Sequence, residues 1–276
     1  MGIGKTKFDV LENLLRKPAR KRRHIHYFVG AHRPGKNAID QPPKDIFDVS
    51  TNKEISKIIT ERLRARNVSF FANQSIADHI SDEERRQLLQ EVTQKVRDLL
   101  RGLIIDIDND PNARNTAHRM ARTYLDEAMR GRYHKAPPVV EFPNARQLDE
   151  IYTVGPITVR STCSHHLVPV LGSVWIGVVP SARGLIGLSK FNRITDWIMS
   201  RPHIQEEAVI MLADYLEKKL EPKGLAIMMR AKHLCMSWRG VKDSDTSMTS
   251  QVMRGDFLTD VDLERRFIDT IRTQDF

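Results

Sequence analysis

The chain has 276 residues, of which 40% are hydrophobic, and it carries a formal net charge of +9. This length and composition are sufficient for one large folded domain with an appendage. No apolar stretch approaches the roughly 18 to 20 residues of a membrane-spanning helix, and the N-terminus has no apolar signal core. These features exclude a membrane protein and favour a cytoplasmic one.

Most of the excess positive charge lies in residues 1–36, which hold ten Lys and Arg residues against two acidic ones. Residues 31–55 are rich in Pro, Gly, Asn and Asp, as in a linker. We therefore predict a basic N-terminal extension over residues 1–75, partly disordered or extended, and a folded domain over residues 76–276. A basic arm can bind nucleic acid, but a solvated tail is the simpler interpretation, and we expect no nucleic-acid partner.

Two amphipathic helices are predicted before the first strand. Ser81 and Glu84 form a capping-box pattern, and the apolar residues that follow share one helical face: Leu88, Leu89, Val92, Val96, Leu99, Leu100 and Leu103. A second helix is predicted to begin at Thr116 and to end at Gly131. Its inward-facing residues are Met120, Tyr124, Leu125 and Met129.

The pattern changes to β from Ile151 onward, with Val174, Ile176 and Val178 in alternation. The predicted strands cover residues 151–162, 167–180 and 224–238, and the predicted helices cover residues 189–201 and 205–220. Helices and strands in separate runs indicate an α+β domain rather than a doubly wound sheet.

The two cysteines of the chain lie in two short clusters that also contain histidine. Thiolate and imidazole are typical zinc ligands, and a catalytic zinc keeps three protein ligands and one open position. On a strand, His233 and Cys235 would face the same side, and the spacing of Cys163 and His166 suits a metal-binding turn. Together with His165 there are five candidate ligands for one metal ion. A disulfide and a pair of buried core cysteines are the alternatives.

A second group of residues predicts an anion site. Ser189 as a helix N-cap, followed by Lys190 and Arg193, would place two cations at the positive end of a helix dipole. Arg239 and Arg119 would add enough charge for a polyphosphate.

Gln205 and Glu206 begin the next predicted helix. A carboxylate beside an amide can recognise the N–H edge of guanine. Taken alone, such a pair at a helix start is more often a capping feature.

Four stretches of the chain resemble the GTP cyclohydrolase I family. Three of them match closely, namely "STCSHHLVPVLGSVWIGVVP", "GLIGLSKFNRITDWIMSRPHIQEE" and "MRAKHLCMSWRGVKDSDTSMTSQVMRGDF", and "NTAHRMARTYLDEAMRG" matches more loosely. The resemblance covers roughly residues 82–272. Ser164 departs from it, because the family has Glu at this position.

The resemblance implies a tunnelling fold, which is an antiparallel sheet with helices packed on one face, here with N-terminal helices. It implies Zn²⁺ bound by Cys163, His166 and Cys235, with His165 and His233 as the proton-transfer residues. It also implies triphosphate binding by Ser189, Lys190, Arg193, Arg239 and Arg119, and guanine binding by Gln205 and Glu206.

The reaction that the resemblance implies is the hydrolysis of GTP to 7,8-dihydroneopterin triphosphate and formate, at the start of folate, other pterin or deazapurine synthesis. The implied assembly is a homo-oligomer, a decamer of two stacked pentamers with active sites between subunits. Two other functions remain open at this point. One is a diverged tunnelling-fold enzyme acting on another purine or pterin, and the other is a nucleic-acid-binding protein with a structural zinc.

Overall fold

A computed structural model describes residues 54–274, so the predicted basic arm of residues 1–36 lies outside the described part. The helices are α1 (Ile55–Ala65), α2 (Asp82–Gly102), α3 (Thr116–Arg122), α4 (Arg130–Tyr133), α5 (Leu188–Met199), α6 (Gln205–Leu220), α7 (Leu234–Ser237) and α8 (Val261–Gln274). The strands are β1 (Glu141–Phe142), β2 (Tyr152–Cys163), β3 (Pro169–Val179), β4 (Leu185–Ile186), β5 (Pro202–His203), β6 (Gly224–His233) and β7 (Met248–Gly255). The predicted α+β class is confirmed.

Five strands form the main sheet in the order β5-β2-β3-β6-β7. The four long strands are antiparallel to their neighbours, whereas β5 pairs parallel with the end of β2. The sheet is therefore mixed rather than purely antiparallel. This short parallel pair aligns Cys163 with His203, so the connection between α5 and α6 lies beside the predicted metal-binding turn.

Helices cover both faces of the sheet, and the prediction of helices on one face was wrong. Phe191 of α5 and Leu212 of α6 belong to the core cluster on one face. On the other face, Phe267 of α8 packs with Trp175 and Phe257. Because both sides are covered there, all residues from 174 to 179 are buried, and the predicted alternation does not separate an inner from an outer face.

Helix α2 begins at the predicted capping box. The Ser81 side chain accepts from the Glu84 backbone N–H, and the Glu84 carboxylate accepts from the Ser81 backbone N–H. Val96 and Leu100 are buried against α3 and the preceding loop, but Leu99 and Leu103 are exposed. The buried face is therefore narrower at the C-terminal end of α2 than the sequence pattern predicts.

Helix α1 occupies residues that the sequence analysis assigned to the N-terminal extension. Ile59 and Leu63 are buried in a cluster with Ile76, and Arg62 forms an ion pair with Glu84 of α2. The packed region therefore includes residues from 55 onward, and the boundary predicted at residue 75 falls inside it. This helix has only 11 residues, and it is fixed by tertiary contacts more than by its local pattern.

The second predicted helix begins at Thr116, as expected, but it is not continuous. A π-helical segment, Thr123–Ala128, separates α3 from α4. Gly131 lies inside α4 and does not end it. A Cβ atom at this position would lie 1.8 Å from the Trp197 carbonyl oxygen, so Gly131 permits the close approach of α5. No helix within residues 54–274 has the length and apolar character needed to cross a membrane.

Candidate active site

Three predicted metal ligands come together beside the ends of β2 and β6. One ligand atom from each of Cys163, His166 and Cys235 lies within 4.8 Å of the other two. Cys163 ends β2, and His166 follows in a tight turn. In that turn the Leu167 N–H donates to the Cys163 carbonyl oxygen at 2.9 Å, and the Cys163 N–H donates to the Val168 carbonyl oxygen at 2.9 Å. The turn therefore holds the cysteine and the histidine on the same side.

Cys235 reaches this group from a helical turn and not from a strand. Strand β6 ends at His233, and Cys235 lies in α7, so the expectation that both residues share one strand face was wrong. The change of backbone conformation sends His233 towards α6 and Cys235 towards Cys163. Both cysteines are free. Burial and the neighbouring Cys163 raise the pKa of the Cys235 thiol.

The exposed side of the group carries His165, His166 and Arg239. His165 Nδ1 lies 3.9 Å from Cys163 Sγ. Arg239 Nη1 lies 2.7 Å from His166 Nε2, and because a guanidinium only donates, His166 accepts at this nitrogen. A metal ion that binds His166 Nε2 would therefore displace Arg239, which was predicted to bind triphosphate.

The second predicted proton-transfer residue, His233, is half-buried and contacts Gln205. His233 Nε2 lies 2.8 Å from Gln205 Oε1. The Gln205 side chain is 3% exposed, and its Nε2 lies 3.2 Å from the Met229 carbonyl oxygen, 3.1 Å from the Met248 carbonyl oxygen and 3.2 Å from Ser250 Oγ. Sequence reasoning did not identify Ser250, because its place beside Gln205 depends on the pairing of β6 with β7.

Burial and a nearby charge have opposite effects on the pKa of His233. Burial lowers the pKa of His233 below the ordinary value, and the negative charge of Glu206 acts to raise it. The net effect favours the neutral imidazole at pH 7, which is the form that can accept a proton. Glu206 itself is exposed at the start of α6.

The predicted anion-binding residues are exposed or half-buried, and among them Arg239 contacts His166. Helix α5 has Gly187 as its N-cap, so Ser189 lies inside the first turn and the N-cap prediction was wrong. Lys190 and Arg193 follow on the same helix, and Arg119 lies on α3. Within residues 54–274, the side chains of these four residues form no hydrogen bond or ion pair. Their charged groups are therefore available to a ligand, but no such contact joins them to the Cys163, His166 and Cys235 group.

The backbone connects the metal-binding turn to the helices that follow. The Ser164 N–H donates to the His203 carbonyl oxygen at 3.0 Å. The His203 ring is buried and its Nε2 lies 2.7 Å from the Ile198 carbonyl oxygen. Burial lowers the pKa of His203 to about 4, so the ring is neutral and Nε2 donates to the carbonyl.

A Cys-His-Cys group with two further histidines, beside the ends of two strands of an α+β domain, is the kind of site that metal-dependent hydrolases use. Comparison with known proteins makes the class specific. Residues 92–272 match the family model of GTP cyclohydrolase I, and the chain belongs to that family.

The relatives of the chain extend over most of its folded part. Proteins named GTP cyclohydrolase 1 from Flavobacterium johnsoniae and Aliivibrio salmonicida are each 34% identical over 194 residues, which is 70% of this chain and 84% and 87% of theirs. A third, from Haemophilus ducreyi, is 33% identical over 182 residues, or 66% of this chain and 83% of its own. A solved archaeosine synthase QueF-Like structure in the apo form covers 44% of this chain at 12% identity and a TM-score of 0.30, which is too low to indicate a shared fold.

Proposed function

We propose that this protein is a zinc-dependent GTP cyclohydrolase that converts GTP to 7,8-dihydroneopterin triphosphate and formate. Membership of the family and the names of the relatives support the substrate and the reaction. The observation that carries the metal part of the proposal is the approach of Cys163, His166 and Cys235 to within 4.8 Å of one another.

The donor set fits zinc. Two thiolates and one imidazole are soft and borderline ligands, and three protein ligands leave a fourth position open for water. When bound, the metal would lower the pKa of its water to about 7 and so supply a nucleophile for hydrolysis at carbon 8 of the base. The raised pKa of the Cys235 thiol implies that metal binding would release a proton from this group.

The remaining histidines would move protons during ring opening. His165 is exposed beside the metal ligands, where it can reach a bound substrate. His233 is mainly neutral and its Nε2 contacts Gln205, so its other ring nitrogen is the one available for proton transfer. Imidazole suits this work because it exchanges protons near neutral pH.

The exposed cations and Glu206 would bind the two ends of GTP. Lys190 and Arg193 lie in the first two turns of α5, where the helix dipole also attracts an anion. Arg239 would add a further positive charge near the metal. The Glu206 carboxylate can accept two N–H groups from guanine. Together these groups would select a purine triphosphate with a guanine base.

The tunnelling fold, the decamer and the cytoplasmic location stay predictions from the sequence. Arg119 gives one reason to expect the assembly. It is exposed on α3 and has no hydrogen bond to the other site residues that the structure describes. A site formed between subunits would allow Arg119 of one copy to contact the phosphates held by another.

The direct test is incubation of the purified protein with GTP. Formate release and a product that becomes fluorescent on oxidation are expected, both lost after treatment with a chelator and restored by added Zn²⁺. His165→Ala is expected to keep its zinc and lose turnover. Full turnover by the metal-free protein would contradict the metal part of the proposal, and absence of turnover by the zinc-loaded protein would contradict the reaction.

A further inference from the structure

The side-chain amide of Gln205 has no free N–H. Its two hydrogens are shared among three acceptors, which are the carbonyl oxygens of Met229 and Met248 and the hydroxyl oxygen of Ser250. These acceptors belong to two strands paired with each other, β6 and β7. A guanine base could use this amide as a donor only after one of the three internal bonds is broken.

The acceptors also fix which way the amide points. Backbone carbonyl oxygens cannot donate, so a rotated amide would place Oε1 against the Met229 and Met248 oxygens and lose the bonds to both. The NH2 group of Gln205 must therefore face the strands. Its Oε1 faces His233 Nε2 at 2.8 Å, and this oxygen can only accept.

The orientation of the amide determines the tautomer of the histidine. Because Gln205 Oε1 accepts, His233 Nε2 must carry a hydrogen. His233 Nδ1 is then the ring nitrogen that has no bond to Gln205. The same contact holds the ring at a fixed angle at the end of β6.

We propose that Gln205 is a positioning residue for His233. It holds the ring through the bond from Nε2 to Gln205 Oε1 and leaves Nδ1 as the ring nitrogen without a bond to Gln205. Base recognition then falls to Glu206, the exposed neighbour of Gln205. This inference rests on the proposed role of His233 in proton transfer.

The first experiment measures steady-state kinetics of Gln205→Met in the zinc-loaded protein. Met has a similar length, but its thioether sulfur is only a weak acceptor for the His233 N–H, so kcat is expected to fall about 10- to 100-fold, as is typical when an outer hydrogen-bond partner is removed. KM for GTP, the preference for GTP over ATP and the zinc content are expected to be unchanged. Gln205→Glu keeps an acceptor for the His233 N–H and is expected to retain more of the kcat than Gln205→Met.

The matched control is Glu207→Gln, two positions further along the same helix. Glu207 accepts from Asn73 at 2.8 Å and has no contact with His233, so this variant is expected to have the kcat of the unmodified protein. If Gln205→Met does not fold, Gln205→Glu is compared with the unmodified protein, and a lower kcat at unchanged KM and unchanged preference for GTP over ATP supports the inference.

A double-mutant cycle separates positioning from base recognition. If Gln205 acts through His233, then adding Gln205→Met to His233→Ala is expected to cause no further loss of kcat. A further loss of the same size as in the single variant would overturn the inference, as would a raised KM with weaker preference for GTP over ATP at unchanged kcat. Full turnover by His233→Ala would overturn both the role of His233 and the inference, while GTP hydrolysis by the unmodified protein in the same assay would leave the proposed reaction intact.

Discussion

The two halves of the candidate site differ in how completely their side chains are held by the protein. At the metal-binding turn, residues 163–168, His165 and His166 are exposed, and their ring nitrogens contact the Cys163 sulfur and the Arg239 guanidinium. At the end of β6, the Gln205 amide is buried and bonded to three internal acceptors and to His233. The first half depends on a metal and a ligand for its final geometry, whereas the second half is organised by the fold alone.

The two halves therefore lose different amounts of conformational entropy when the substrate binds. A buried and fully bonded amide loses no conformational freedom when the substrate binds, because the fold has already restricted it. Exposed cations such as Arg193 lose side-chain entropy when they contact phosphate. The Gln205 and His233 half is therefore ready before GTP arrives, whereas the exposed cations become ordered with GTP.

The largest expected effect comes from removing a metal ligand. Cys235→Ser is expected to lose bound zinc and to reduce GTP turnover to background, because a serine hydroxyl does not replace a thiolate ligand. Metal analysis and the formate assay measure both. If the fold alone organises Gln205 and His233, amide hydrogen exchange in β6 is expected to stay slow in Cys235→Ser. The reason is that the hydrogen bonds of Gln205 do not involve the metal.

Met236→Leu is the matched control on the same helical turn, and it is expected to retain zinc and turnover. Full zinc content in Cys235→Ser would remove Cys235 from the ligand set.

The next effect concerns the exposed cations of α5. Arg193→Ala is expected to weaken GTP binding by about 1.5 to 3 kcal/mol, the usual contribution of a hydrogen bond to a charged group. Guanosine, which has no phosphate, is expected to bind with unchanged affinity. Equal losses for GTP and guanosine in a binding titration would exclude a phosphate contact at this position.

Gln205 is buried and held by the fold, whereas its sequence neighbour Glu206 is exposed, so the pair gives a sharper test. Glu206→Gln is expected to reduce the preference for GTP over ATP by about 1 to 3 kcal/mol, the range for one bidentate base contact. Competition between the two nucleotides measures this preference. An undiminished preference would show that Glu206 does not recognise the base.

The smallest effect lies away from both halves, at the contact of α1 with α2. The hydrogen bond from Arg62 lowers the pKa of Glu84 to about 2. A carboxylate with a lowered pKa stabilises the fold fully above its unfolded value near 4.5, and this stabilisation is lost as the pH falls from 4.5 towards 2. Because both side chains are partly exposed, we expect about 1 kcal/mol after screening.

Glu84→Gln is expected to remove this acid-dependent part of the unfolding free energy, as measured by urea unfolding at pH 3 and pH 6. GTP turnover at pH 7 is expected to stay the same. A Glu84→Gln variant with the original pH dependence would assign the acid sensitivity to other carboxylates.

The contact of α1 with α2 also changes the expected effect of removing the N-terminal residues. The boundary predicted at residue 75 would allow a chain beginning near Asn73 to fold and turn over GTP normally. In the structure, such a chain lacks the buried Ile59 and Leu63 and the Arg62–Glu84 pair. Reduced stability is therefore expected on truncation, and a thermal melt of the shortened chain measures it.

Local signals in the sequence predict some elements well and others poorly. The bounds of α6 are as predicted, because an uninterrupted apolar period runs through residues 205–220. The strand predicted through Cys235 instead ends at His233, because an apolar run does not distinguish a strand end from a short helical turn. The helix N-cap was placed at Ser189 on residue type, although Gly187 occupies that position.

The sequence predicted one part of the candidate site and not the other, again because only local signals can be recognised. The ligand group could be recognised because the chain has only two cysteines, each close to histidine. The partners of Gln205 could not, since two of them are backbone carbonyl oxygens that carry no residue signature. Their positions follow from the register of β6 with β7, which is a long-range property.

The hydrogen bond between the Ser164 N–H and the His203 carbonyl oxygen has a thermodynamic consequence. It joins the turn that holds Cys163 to the short connection between α5 and α6, which carry the proposed phosphate and base contacts. If GTP shifts this connection, it also shifts the ligand turn, and the two binding events then share a coupling free energy. Linkage requires that GTP tighten zinc by the same factor by which zinc tightens GTP. The metal affinity of this protein would then report on the amount of nucleotide present.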